Sequence, residues 1–244
     1  MKIKNLILAA TIALPVFVAC DKDNNTDYNE FYPNALVTVK PIEGGLEIPG
    51  IKGSQEFYIQ LTEDAALLPV NMTKSPSKLE SRALTHIKEA RLPQGADAEK
   101  FSKGAEIVWI DTILTKQPVQ YDANVNIDEK YGEDPVKILR RWTVVEDGYI
   151  TIEFAANWGY TGEKHEVNLI LNANPADPYE VEFRHNAHGN TGYQEGSGIV
   201  AFSLKDLPDT KGETVKLKLK WKDFGVTKTV EFDYRTRPDW SQTE

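Results

Sequence analysis

The chain has 244 residues, with 28 Lys and Arg against 37 Asp and Glu, a formal net charge of −9 and 41% hydrophobic residues. That length fits one or two domains, and the acidic balance argues against nucleic acid as a partner, because phosphates need Lys and Arg to displace their counterions. The single cysteine excludes an internal disulfide.

The chain opens with "MKIKN", then an uncharged apolar run from Leu6 to Ala19. Charge, apolar run and a small residue form a secretory signal pattern. The run is shorter than the roughly 20 residues a bilayer-spanning helix needs, and Pro15 would kink such a helix. Residues 1–19 are expected to be a signal peptide. "VAC" resembles a bacterial lipobox, with Phe17 in place of the usual aliphatic residue. Cys20 is then the lipidation site, acylated before the chain is cut ahead of it. Each buried methylene of the acyl chains would contribute about 0.8 kcal/mol to anchoring. The expected location is the outer membrane, on the cell surface or the periplasmic face, with the membrane as a partner through the anchor. The polar segment after Cys20 cannot bury enough to order itself, so residues 20–34 are expected to be a flexible tether. Asp21 and Asp23 also resemble the surface-export signal of Bacteroidota lipoproteins.

Short β-rich runs follow at 35–40, 56–61, 66–70 and 105–116, and "RALTHIKEARL" at 82–92 suits strand or helix. Five strands in this span suggest a small barrel or sandwich over 35–120. "PQGADAEKFSKG" reads as an insertion with room for one helical turn. The polar stretch 121–131 reads as a linker. Beyond it, alternation is strict. Ile150, Ile152 and Phe154 share one face, as do Val167, Leu169 and Leu171. Tyr179, Val181 and Phe183 point in, while Glu180, Glu182 and Arg184 point out. Val215, Leu217, Leu219 and Trp221 face inward, while Lys216, Lys218 and Lys220 face solvent, where they discourage edge pairing and can meet Glu231 and Asp233. Six runs of period two predict an antiparallel β-sandwich of immunoglobulin-like size over 132–237, and 238–244 is left as a tail.

"GEDPVKI" at 132–138, Trp142, "DGYITIEF" at 147–154, "HEVNLIL" at 165–171, "PYEVEFRHNAHGN" at 178–190 and "GIVAFSLKDL" at 198–207 occur in that order. Together they resemble the NigD-like lipoproteins of Bacteroidota. "FYIQLTEDAALLPVN" and "IVWIDTILTK" extend the likeness over 31–120. The resemblance implies an all-β protein, a small OB-like barrel followed by an immunoglobulin-like antiparallel β-sandwich. It also implies a role in bacteriocin immunity; that the chain works by binding and not by catalysis is expected because no residue set in it has an active-site pattern.

His165, His185 and His188 are three of four histidines, and parity puts His165 and His185 on the core side of their strands. A catalytic zinc needs three aimed ligands and an open position, and no H-E-x-x-H motif is present. The favoured reading is that His185 and Asn186 hold a strand-to-loop corner, with no metal and no cofactor. "GSG" at 196–198 lacks the strand–elbow–helix context of a nucleophile. No catalytic residue can be named, although a carboxylate pair in a cleft between the domains stays open. Trp109, Trp142 and Trp221 read as core. Trp158, Tyr160 and Tyr193 read as exposed loop aromatics that could contact a ligand, either a protein or a glycan. The expected state is a monomer. The alternative to immunity is a surface lipoprotein that binds or hydrolyses glycans.

Overall fold

The computed structural model describes residues 28–240. The signal-peptide and Cys20 expectations lie outside the described residues. The architecture is all-β, with fourteen strands and one five-residue α-helix among the described residues.

Strands β1 (Ala35–Leu46), β2 (Gln55–Thr62), β3 (Ala65–Pro69), β4 (Ser81–Ala90) and β5 (Lys103–Thr112) close a barrel in the order β1-β2-β3-β5-β4. β1 pairs antiparallel with both β2 and β4, and β3 runs parallel to β5. This is the OB-like barrel. Its interior holds Val37, Val39, Phe57, Ile59, Leu67, Ala83 and Ile107. The 82–92 run is a strand, because its alternate residues feed this interior. The predicted insertion contains one turn opened by Asp97, whose carboxylate accepts from the amides of Glu99 and Lys100. The turn delivers Phe101 onto the outer side of β2 and β3, where it is buried with Ile48, Ala66 and Leu68 and meets Tyr58 edge-on at 5.7 Å. OB barrels commonly bind oligomers on that side; here the chain's own loops fill it.

The expected tether ends sooner than residue 34. A 3-10 turn at Tyr28–Phe31 begins a segment docked on the barrel. Trp109 Nε1 donates to the Glu30 carbonyl at 2.6 Å, His86 Nδ1 lies 2.8 Å from the Tyr32 carbonyl, and Asn34 brackets Ile87.

The predicted strand 105–116 breaks at Ile113. β6 (Leu114–Lys116) and β7 (Val119–Gln120) leave the barrel and add to the two sheets of the second unit. The division therefore falls at 113 and not at 120. One sheet runs β14-β13-β11-β10-β7 and the other β6-β12-β9-β8. Their strands are β8 (Lys137–Glu146), β9 (Tyr149–Trp158), β10 (Glu166–Leu171), β11 (Glu180–Asn186), β12 (Gln194–Ser203), β13 (Val215–Asp223) and β14 (Val226–Tyr234). Alternate residues from both sheets fill the sandwich core, including Ile150, Ile152, Leu169, Phe183, Phe202 and Leu219.

The expected linker is a cover. Helix α1 (Ile127–Tyr131), N-capped by Asn126, lies on the outer face of β11. Arg184 Nη1 bonds Asp128 Oδ1 at 2.6 Å and Arg184 Nη2 meets Glu182 Oε1 at 2.9 Å. Glu182 and Arg184 do point away from the core, but α1 and the segment after it bury that face, leaving them 8% and 6% exposed. Gly132 (φ +71°) allows the close approach, since a Cβ there would sit 2.6 Å from the His185 carbonyl oxygen. Of the lysine row, Lys216 pairs with Asp233 as expected, whereas Lys218 reaches Asp177 and Lys220 reaches Glu182.

Candidate functional site

Two places concentrate polar chemistry, one at each end of β9. At its far end, β11 and the residue just before β10 bring His185 and His165 together, with His185 Nε2 2.9 Å from His165 Nδ1. His165 Nε2 lies 2.9 Å from the Asn190 carbonyl, which can only accept. So His165 donates there, its Nδ1 accepts, and His185 Nε2 donates to it. His185 Nδ1 is then unprotonated and faces the Asp134 carbonyl at 3.4 Å, the longest contact of the chain. With both rings neutral, the two 2.9 Å contacts are hydrogen bonds and the 3.4 Å contact, acceptor against acceptor, is not. Burial lowers the pKa of His185, and the neighbouring His165 ring lowers it further. Asp134 also accepts from the Ala187 amide at 2.7 Å, and Asn186 Oδ1 accepts from the His188 amide at 2.9 Å. His188 sits apart on its loop, 3.7 Å from Glu166.

Trp158 is not a free loop aromatic. It is half-buried and stacks on His165, with ring centroids 3.6 Å apart and planes at 12°. Tyr160 and Tyr193 are fully exposed, at 92% and 107%. They follow β9 and precede β12 at the same end of the sandwich, because Trp158 pairs with Gln194. Buried Asn190 ties their loops together. Its side chain accepts from the Thr161 amide and donates to the Glu163 carbonyl, and its carbonyl accepts from the Gly159 amide. Of the other tryptophans, Trp221 is core, while Trp109 and Trp142 are half-buried.

At the other end of β9 is the seam with the barrel, which no sequence pattern marks. Asp147 and Gly148 form the two-residue β8–β9 turn, both with positive φ. Asp147 is 1% exposed and meets Lys40 of β1 at 3.0 Å. The C-terminal segment, expected to be a tail beyond 237, packs here instead. Arg237 grips Glu80 through both nitrogens of its fork, lies 3.7 Å from Asp147, pairs with Asp239 at 2.7 Å and stacks on Trp240 at 3.9 Å. Tyr149 donates to Glu80 at 2.9 Å. Burial and the Glu80 carboxylate both hold the Tyr149 phenol above its usual range. Arg82, fully buried in the barrel, donates to Thr38 at 2.8 Å and faces Glu146 at 3.6 Å. Beside this network lies a cavity of about 580 Å³ lined by Ser77, Glu80, Thr112, Tyr149, Lys205 and Trp240, among others.

The family model for the NigD-like C-terminal beta sandwich domain matches residues 117–234, which begins just before β7 and ends with β14. A crystal structure from Parabacteroides distasonis, of a protein named only as toxin-related, is 32% identical, with 83% of this chain and 92% of that one aligned at a TM-score of 0.64. The chain belongs to the NigD-like family. A NigD-like immunity protein from Bacteroides caccae is 16% identical over 82% of this chain and 96% of that one, with a TM-score of 0.54, and so shares the fold. A protein of unknown function from Bacteroides vulgatus is 19% identical over 85% and 93%, with a TM-score of 0.61. Among curated proteins there is no match.

In this NigD-like chain the seam carboxylates are already occupied. Glu80 is held by Arg237 and Tyr149, and Asp147 by Lys40. A hydrolytic pair needs one carboxyl group holding a proton and one free to take one, and guanidinium and ammonium partners oppose that division of roles. Among the described residues no group of three His, Cys, Asp or Glu side chains is placed to hold a metal ion. The arrangement is built to hold loops and domains in place.

Proposed function

We propose that this NigD-like chain is a non-enzymatic lipoprotein of the outer membrane, attached through Cys20, that protects its host by binding a bacteriocin. The observation that carries the binding reading is the pair of exposed tyrosines on pinned loops. Tyr160 and Tyr193 stand clear of the surface on loops that Asn190 and the histidine pair hold rigid. Tyrosines offer large contact area at low entropic cost, and preorganised loops lose little freedom on binding. The name of the Bacteroides caccae structure adds support for immunity.

The test is a deletion strain exposed to bacteriocin-producing relatives. The strain gains sensitivity, the wild-type gene restores protection, and Tyr160→Ala with Tyr193→Ala restores it poorly. An inhibition zone unchanged by deletion counts against immunity. Cys20→Ala abolishes lipid incorporation in metabolic labelling; continued labelling refutes the anchor. Protease shaving of intact cells decides between the surface and the periplasm.

A second reading is favoured by the seam cavity, where hydroxyls and the rings of Tyr149 and Trp240 suit a glycan. Purified protein screened on envelope and plant glycans would then bind without turnover. Product release lost on mutating one Asp or Glu would make the protein an enzyme.

A further inference from the structure

We infer that a narrow cleft between the barrel and the outer face of the sandwich binds one free amino acid with an apolar side chain. The cleft shares no residue with the seam cavity or with the tyrosine loops. Tyr32 comes to it from the docked segment before β1, Leu84 from β4, Arg141 and Trp142 from β8, Glu153 from β9 and Ile199 from β12. Its volume is about 270 Å³, below the roughly 300–1,000 Å³ of drug-sized sites, so its occupant is small. The sandwich side is built by a bulge. Leu139 pairs with Glu153 and Val144 with Thr151, so residues 140–143 stand out of the β8–β9 ladder. Bulges re-aim side chains beside binding sites. Here the bulge is pinned: Thr143 Oγ1 donates to the Leu139 carbonyl at 2.5 Å and accepts from the Glu153 amide at 3.0 Å.

The charges in the cleft define the occupant. Glu153 and Arg141 are its two charged lining residues, of opposite sign. Among the described residues Glu153 has no cationic partner and Arg141 no carboxylate partner. Glu153 Oε2 accepts instead from the Trp142 amide at 3.2 Å, and the Arg141 guanidinium lies over the Trp142 ring, 5.4 Å from its centroid. A ligand that leaves either charge desolvated and unanswered loses affinity. A neutral sugar answers neither. A carboxylic acid answers Arg141 and is repelled by Glu153, and an amine does the reverse. A zwitterion answers both, its ammonium donating to Glu153 and its carboxylate accepting from the Arg141 fork. The half-buried side chains of Leu84, Trp142 and Ile199 supply apolar surface for the ligand's own side chain. A peptide fits less well, because each added residue moves its two charged ends apart by up to about 3.3–3.6 Å.

The full chain is titrated with L-leucine by calorimetry, and saturable 1:1 binding is expected. N-acetyl-leucine, which has no ammonium, and leucinamide, which has no carboxylate, each bind about tenfold more weakly, the effect of one hydrogen bond to a charged group. Glycine, which offers the walls no side chain, also binds about tenfold more weakly. Arg141→Gln, a change at an exposed side chain that leaves the melting temperature in place, removes the preference for leucine over leucinamide. Glu153→Gln, which keeps an acceptor for the Trp142 amide, removes the preference over N-acetyl-leucine. The inference is overturned if leucine does not saturate, if either capped form or glycine binds as tightly as leucine, or if trileucine binds more tightly.

Discussion

Replacing Arg237 by Met keeps most of the side-chain volume and removes the guanidinium. Arg237 is 5% exposed and serves Glu80, Asp147 and Asp239 at once, with Trp240 stacked on it. Burial alone would lower its pKa, but Glu80 and Asp147 outweigh that and raise it, so the group is charged at every working pH. Removing one partner from a buried pair costs about 3–5 kcal/mol, because the other charge stays desolvated. Two features pull the value down. The Glu80 side chain is 29% exposed, so water can rehydrate it in part, and Asp147 keeps Lys40 at 3.0 Å. The expected loss is therefore about 3 kcal/mol. For a chain of this size that lowers the melting temperature by about 6–12 °C. Circular dichroism melts of the whole protein measure it, and a double-mutant cycle with Glu80→Gln isolates the pair. If the melting temperature falls by less than about 2 °C, or if the two changes are additive, Arg237 does not hold the seam in the way described.

Three further outcomes follow from the same contacts. Asn190→Ala removes the pin between the two tyrosine loops by taking the partner from the Thr161 amide and the Glu163 carbonyl; the loss is about 1–2 kcal/mol, with faster amide exchange over 159–164. Gly148→Ala places a Cβ 2.3 Å from Trp240 Cζ3 at a φ of +76°; stability falls by about 2 kcal/mol and the near-ultraviolet dichroism of Trp240 changes. His185 has a pKa below the unfolded value of 6.5, so the unfolded chain takes up a proton that the native chain resists. Stability therefore falls as pH drops through 6.5 toward the lowered native value. Urea midpoints at pH 7.5 and 5 should show this fall, and His185→Gln should flatten it; an unchanged slope in the variant refutes the assignment.

The sandwich strands were legible because their signal is local. From Val215 to Trp221 every second residue is apolar, and the pleat turns that into a buried face. The barrel strands were legible from short β-rich runs, with 82–92 open between strand and helix, whereas the cap that Phe101 places on β2 and β3 was not, since the target of a loop aromatic is set by the fold. Misreadings arose where a residue's partner lies far along the chain. Trp158 has the composition of an exposed loop around it, yet its ring rests on His165. Glu182 and Arg184 alternate as solvent-facing residues do, and they do leave the core, but α1 returns from 127–131 to cover them. α1 itself reads as linker because its polar side chains answer buried charges and not apolar ones.

The seam is the extreme case. Glu80 and Arg237 stand 157 residues apart, each in a polar segment that no periodicity distinguishes from surface. Their pairing depends on the β8–β9 turn reaching the barrel, and that turn depends on two positive-φ residues, Asp147 and Gly148, one of which also carries a buried charge. Turn chemistry alone would place Asp-Gly in any hairpin. What marks this one as an interface is that Asp147 is buried and bonded to Lys40 of the other domain, a fact of tertiary geometry. The consequence is mechanical. β9 begins at Tyr149, locked to the barrel through Glu80, and ends at Trp158, stacked under the tyrosine loops. A partner that engages Tyr160 and Tyr193 therefore meets a surface backed by one continuous strand, and the barrel at its other end fixes how that surface is presented.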